Sequence, residues 1–284
     1  MLDFRYHALS LVAVFLALGI GIVLGSSLGD TVVSQANKDI AASLRGDLTK
    51  ARGDASTAQT QVGQRENLLE AAFPRLAGGK LHGKRVALVA SGNLPQNLQS
   101  NVRDAVQRAG GTLTSISELK SPPDVPALGA AVGNRFAGLT ANDPRLRPLG
   151  RRVGQALVRG GRLAHRLAKV FGDRFAGDFG SADAVAFYRD PGTNRSADDK
   201  QVEQGLIDGL RAAGQPVVGV EKTDTNPSQI SFYSNQGLSS VDAVDSAGGR
   251  VALVLTLAGA RGSFGYKSTA DGPLPIPHGA AAGR

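Results

Sequence analysis

The chain has 284 residues, a formal net charge of +8 and no cysteine. That excludes a disulfide frame, a thiolate metal site and a thiol nucleophile, and the sole methionine is Met1. The length suits one or two domains beyond any membrane segment.

From Ala8 to Leu28 there is no charged side chain, a run of 21 residues rich in Leu, Val, Ala, Ile and Gly. As a helix it would be about 30 Å long, the thickness of a bilayer's hydrocarbon core. A cleaved signal peptide normally has a shorter apolar region of ~7–15 residues, so the length favours an uncleaved anchor. Ala13, Ala17, Gly21, Gly25 and Gly29 recur every four residues. That stripe of small side chains would let two helix backbones approach closely in lipid. Arg5 and the α-amino group precede the run, and Lys38 and Arg45 follow it, so charge alone barely sets the orientation. A short N-tail inside and the bulk of the chain outside is the simpler insertion.

Ala41, Leu44, Leu48, Ala51, Ala55, Ala58, Val62 and Leu69, with Arg65 at the one polar turn, step by three and four. The pattern predicts a heptad seam and a parallel coiled-coil stalk. A frayed helical linker is the alternative, because Gly46, Gly53 and Gly63 each cost about 1 kcal/mol against alanine in a helix. Phe73-Pro74 would end the stalk and Gly78-Gly79 form a hinge.

Residues 84–119 read as a βαβ unit. Arg85–Ala90 is a buried strand, Leu98, Val102, Ala105 and Val106 have helical spacing, and Thr112–Ile116 is the partner strand. Ser91 and Gly92, after the first strand, stand where doubly wound folds bind ligands, but they lack a phosphate-loop pattern and read as structural. Residues 121–142 form a Pro- and Gly-bearing loop. Leu146–Phe171 reads as one basic amphipathic helix, with nine Lys or Arg and two Asp between Asp143 and Arg174. It could face anionic lipid or a negatively charged partner, or dock on the body with a solvated arginine face.

A second unit follows. Ala184–Tyr188 is a strand, Ser196 an N-cap, Val202, Leu206, Ile207 and Leu210 an inner helix face, and Pro216–Val220 the next strand. The two units share one sheet or form two small halves. Gly249–Ala258 is expected to be a buried strand, and the tail from Pro273 a surface segment. Overall, the fold expected is α/β: an anchor (1–30), a coiled-coil stalk (31–75), a Rossmann-like body with two βαβ units (80–272) and a flexible Pro/Gly tail (273–284).

Chemically the chain is sparse. His7, His82, His165 and His278 are scattered, with no metal-ligand spacing. Asp242 and Asp245 form the best acidic pair, more suited to capping a turn than to sharing a cation. No nucleophile, base or cofactor loop points to an enzyme, and without aromatic platforms nucleic acid is not an expected partner.

Three stretches carry a resemblance. The opening FRYHALSLVAVFLALGIGIVLGS, the strand RVALVASG and the segment GLSSVDAVDSAGGRVALVLTLAG resemble the actinobacterial MctB-like copper transporter family, in the same order over essentially the whole chain. The most specific part of that match is Ser240, Val241, Asp242, Asp245, Gly249 and Arg250. The resemblance implies a cell-envelope protein of copper homeostasis, limiting copper accumulation, in a family described as outer-membrane or pore-forming. Copper enters by this resemblance only. Copper(I) favours thiolate and thioether ligands, which this chain lacks beyond Met1. Its short, helix-separated strands also differ from the long alternating strands of a membrane barrel. The expected partners are the bilayer, further copies of the chain as a parallel dimer or higher oligomer, and other envelope proteins. A scaffolding envelope protein without metal chemistry is the alternative.

Overall fold

The computed structural model describes residues 4–275, with the side chains of 4, 5, 26–37 and 39 left aside. Two compact units make up the chain, divided between Gln64 and Arg65. Helix α1, Phe4–Leu76, supplies the described residues of the first unit.

Within that first unit, Tyr6–Gly25 is long and apolar enough to cross a membrane, with a mean hydropathy of 2.6 and no part of it buried. Further along, Leu44, Leu48 and Val62 each stand more than half exposed. The hydroxyls of Thr49, Thr57 and Thr60 donate to the carbonyls four residues back, which lets these β-branched residues sit in the helix with their polar atoms paired.

The second unit is a seven-stranded sheet covered on both faces by helices. In chain order its elements are β1 (Arg85–Ser91), α2 (Gln96–Arg108), β2 (Thr112–Leu119), α3 (Val125–Val132), α4 (Leu146–Arg159), α5 (Arg162–Phe171) and β3 (Phe175–Gly177). Then come β4 (Ala184–Arg189), α6 (Ala197–Arg211), β5 (Val217–Val220), α7 (Ile230–Asn235), β6 (Ser239–Val241), α8 (Ala247–Leu257) and β7 (Ser263–Phe264). The strand order is β3-β2-β1-β4-β5-β6-β7. All neighbours pair in parallel except the edge strand β3, which is antiparallel to β2. The two βαβ units therefore lie side by side in one sheet, joined by the β1–β4 ladder.

Burial on both faces explains why β1 and β4 read as unbroken apolar runs. Successive side chains alternate between two cores. Val89, Val185 and Phe187 pack with α3 to α7, whereas Leu88, Ala90, Ala184, Ala186 and Tyr188 pack with α2, α8 and the end of α1. Phe73 and Ala77 are fully buried in that second core.

Three readings of local structure are corrected. Residues 121–142, expected as a loop, hold helix α3, capped by Asp124 accepting the Ala127 amide. The basic stretch is two helices, not one: Gly160 and Gly161 adopt φ of +71° and +87° and end α4 before α5 begins. Residues 249–258 are helical rather than a strand. Ser246 caps α8 by accepting from the Gly249 amide at 2.9 Å, and Val251, Ala252, Leu253 and Val254 are buried all round. A helix buried over most of its surface, with Arg250 and Leu255 half-buried, has little amphipathic period to mark it. Ser196 caps α6 as expected, in a reciprocal box with Asp199.

Candidate functional site

The motif residues 240–250 come together at the start of α8. Ser240 in β6 hydrogen-bonds the Ser263 hydroxyl at 3.0 Å. Val241 and Asp242 are fully buried. The Asp242 carboxylate accepts the amides of Tyr266 and Lys267 at 2.7 and 2.9 Å, and Asp245 accepts the Thr223 amide and hydroxyl. Both aspartates thus hold backbone turns. Gly249 faces the Ala243 carbonyl so closely that a side chain there would overlap it.

Onto this motif the last turns of α1 are fastened. Glu66 accepts the Ala247 amide at 2.6 Å, which sets a carboxylate at the positive end of α8. Arg250 pairs with Glu70, and Glu70 also meets Arg108 at 2.7 Å. Arg108 lies over the Phe73 ring, 4.1 Å from its centroid, and bonds Asp104 in its own helix. Burial pushes the Arg250 guanidinium below its ordinary value, opposed by the charge of Glu66. Leu69 is half-buried and approaches α8 at Gly248. Residues 247–250 thereby form a clamp on residues 66–73.

The carboxyl ends of the strands hold a second polar assembly. Where β1 lies between β2 and β4, an open α/β sheet offers its ligand crevice. Here the chain fills it. The Arg195 guanidinium is 2% exposed, donates to the carbonyls of Ser91 and Asp190 at 3.0 Å each, and pairs with Glu203 at 3.0 Å. Glu203 also accepts from the Ser91 hydroxyl at 2.7 Å and from Arg189 at 3.0 Å. Arg189 continues to Gln229, whose amide donates to Glu221 at 2.6 Å. Glu221, wholly buried, receives Ser228 and Lys267 as well. Burial, then the nearby carboxylates of Asp190 and Glu221, push the Tyr188 phenol up to about 12. Burial lowers Arg195, against the pull of Glu203. Paired in this way, the assembly ties together the carboxyl ends of the central strands β1, β4 and β5. The sequence had marked Ser91 and Gly92 as structural, and Glu203 does tie Ser91 down. Glu203 itself was overlooked, although a charged residue on the same helix face as Leu206, Ile207 and Leu210 is an audible sign of a buried pair.

The other predicted residues are dispersed. Ala13, Ala17, Gly21 and Gly25 are exposed, and Gly29 lies among the side chains left aside. Leu44, Leu48, Ala51, Ala55, Ala58 and Val62 are exposed in the first unit, whereas Leu69 belongs to the second. His7 and His82 are exposed, His165 stands edge-on to Phe179, and His278 lies outside the described residues. Among the described residues no group of three or more His, Asp or Glu side chains could hold a metal ion.

Two comparisons complete the picture. The family model described as copper transport outer membrane protein, MctB, matches residues 1–275. Comparison with curated proteins finds no match.

Proposed function

The chain belongs to the MctB copper transport outer membrane protein family, and from that premise we propose a membrane-anchored envelope protein that limits copper accumulation in the cell. The carrying observation is the reach of the match, which takes in both the apolar segment and the body. In this reading residues 8–28 remain as a single uncleaved span and the body lies outside the cytoplasm. The order of the parallel strands, reversing at β1 and β4, supports reading the body as Rossmann-like, with Arg195 occupying the nucleotide position. The body then serves as an interaction platform and not as an enzyme. One span per chain cannot enclose a metal path, and the chain brings no thiol. Copper would therefore pass through an oligomer or a partner. The stripe at Ala13, Ala17, Gly21, Gly25 and Gly29 and the seam from Leu44 to Val62 are the surfaces proposed for a parallel dimer or higher assembly. The test is deletion of the gene with cell-associated copper as the readout. Copper content should rise and return on complementation; unchanged content sinks the proposal.

The clamp favours a second reading. Within the stretch read as most family-specific, the Ala247 amide and Arg250 fasten a helix instead of arranging ligands. A scaffold that presents its body at the membrane needs that fastening and needs no metal. Titrating the full chain with copper by calorimetry separates the two: saturable heat supports direct handling, and its absence with unchanged cell copper supports the scaffold.

A further inference from the structure

Of the chain's net charge of +8, residues 143–174 carry +7. Folding gives this excess a shape. The acids on that face are already engaged: Asp143 is held by Arg145 at 2.6 Å, and Asp208 by Arg147 at 2.8 Å. Arg145 keeps the Asp143 carboxyl down at about 2, so it stays charged and committed. Between α4 and the turn after α3 lies a cleft of about 670 Å³, within the roughly 300–1,000 Å³ of small-molecule sites. Arg135 lines one side and Arg151 and Arg152 the other, and none of the three has a carboxylate partner among the described residues. Phe136, with the Arg135 guanidinium 5.9 Å from its ring centroid, and Pro148 add apolar wall, and the Arg147–Asp208 pair completes the lining.

A solvated arginine face is normally convex, and each charge is screened alone. Charges gathered around a concavity with low-dielectric walls reinforce one another and concentrate anions. One guanidinium fork is enough for a carboxylate. Three forks without a carboxylate partner match the greater charge and the three oxygens of a phosphate monoester. We propose that this cleft binds a phosphate-bearing ligand, with the phosphate held by Arg135, Arg151 and Arg152 and its carbon skeleton resting on Phe136 and Pro148. The site shares no residue with the motif at 240–250, and it stands whether or not the copper reading does.

The phosphate could be a free ester or a lipid headgroup. The test uses the full chain in phosphatidylcholine nanodiscs, titrated with glycerol 1-phosphate and with dihexanoyl phosphatidic acid, both phosphate monoesters. At least one should bind saturably: the ester if phosphate alone suffices, only the lipid if the headgroup and chains are required. Arg151→Gln with Arg152→Gln should weaken that binding about tenfold or more. Arg162→Gln with Arg166→Gln, an equal charge loss on exposed residues of α5 outside the cleft, should leave it unchanged. The proposal is overturned if neither probe saturates, or if both double variants lose binding equally.

Discussion

Gly154 of α4 lies directly on the backbone of Leu206 in α6, where a methyl group would overlap the Leu206 carbonyl oxygen and stand 2.9 Å from the Leu210 nitrogen. The contact is reciprocal. Gly150 meets Val202 and Leu206, while Gly205 and Gly209 meet the carbonyls of Arg147 and Arg151. Two Gly-x-x-x-Gly faces bring these helices into backbone contact against the sheet.

Alanine at Gly154 or Gly209 must therefore push the helices apart. Each should cost about 1–3 kcal/mol, read as a lower urea midpoint. Gly53 in α1 has nothing within 4 Å of where a Cβ would stand, so Gly53→Ala should instead favour its helix by up to about 1 kcal/mol.

Those glycines show what the sequence concealed. Strands β1 and β4 and the inner face of α6 were legible because apolar side chains repeat at the period of each element. A close helix crossing is made by the absence of side chains, and its four glycines resemble ordinary ones until the partner is known. The same limit applies to α8. Apolar but for Arg250 and Thr256, and buried over most of its surface, it offers no alternation to separate helix from strand, and only Ser246 before it marked a helix start. At the clamp, Glu66 and Glu70 are some 180 residues from their partners, and no local pattern predicts such a pair. Asp242 and Asp245 suggested turn holders by their residue type, but the amides they accept lie 22 to 25 residues away at Thr223, Tyr266 and Lys267, so the partners had no local signal.

Glu221 is wholly buried, and Lys267 is its one cationic partner among the described residues. Lys267→Met should cost about 3–5 kcal/mol, since it leaves a carboxylate uncompensated in the interior. Adding Glu221→Gln should recover a large part of that loss. A double variant as unstable as the single one would show that Lys267 acts through its bonds to the Thr225 and Lys222 carbonyls instead.

The Tyr188 phenol is held up to about 12, first by burial and then by Asp190 and Glu221. In the unfolded chain a tyrosine ionises near 10. The folded state keeps a proton that the unfolded state has lost, so the stabilisation is complete below about pH 10 and disappears as pH rises through about 12. Urea midpoints should fall across that window, with about 2 kcal/mol owed to this residue. Burial raises the Tyr233 phenol too, so Tyr188→Phe should flatten the decline without abolishing it.

Arg250 is 14% exposed and bonded to Glu70. Arg250→Met should loosen the last turns of α1 from the body. Amide exchange over residues 66–76, followed by mass spectrometry, should quicken about tenfold or more. Exchange in β1 should hold its original rate, because the core around Leu88 and Ala90 keeps its packing. Equal acceleration in both regions would mean a global loss of stability and not a released clamp.

The absence of cysteine makes the proposed stalk simple to interrogate, because any thiol introduced is the only one present. In a parallel dimer the seam positions of two chains face each other at a range a disulfide can bridge. Leu44→Cys, Leu48→Cys and Val62→Cys, each alone, should give covalent dimers on mild oxidation in membranes. Thr60 lies on the opposite side of the heptad from the seam, and Thr60→Cys should stay monomeric under the same conditions. Crosslinking with no dependence on position would indicate chance collision, and monomers throughout would leave Leu44, Leu48 and Val62 facing something other than a second copy. Replacing Gly21 and Gly25 by leucine on the Leu48→Cys background should then lower the dimer yield several-fold, because larger side chains separate the two membrane helices that feed the stalk.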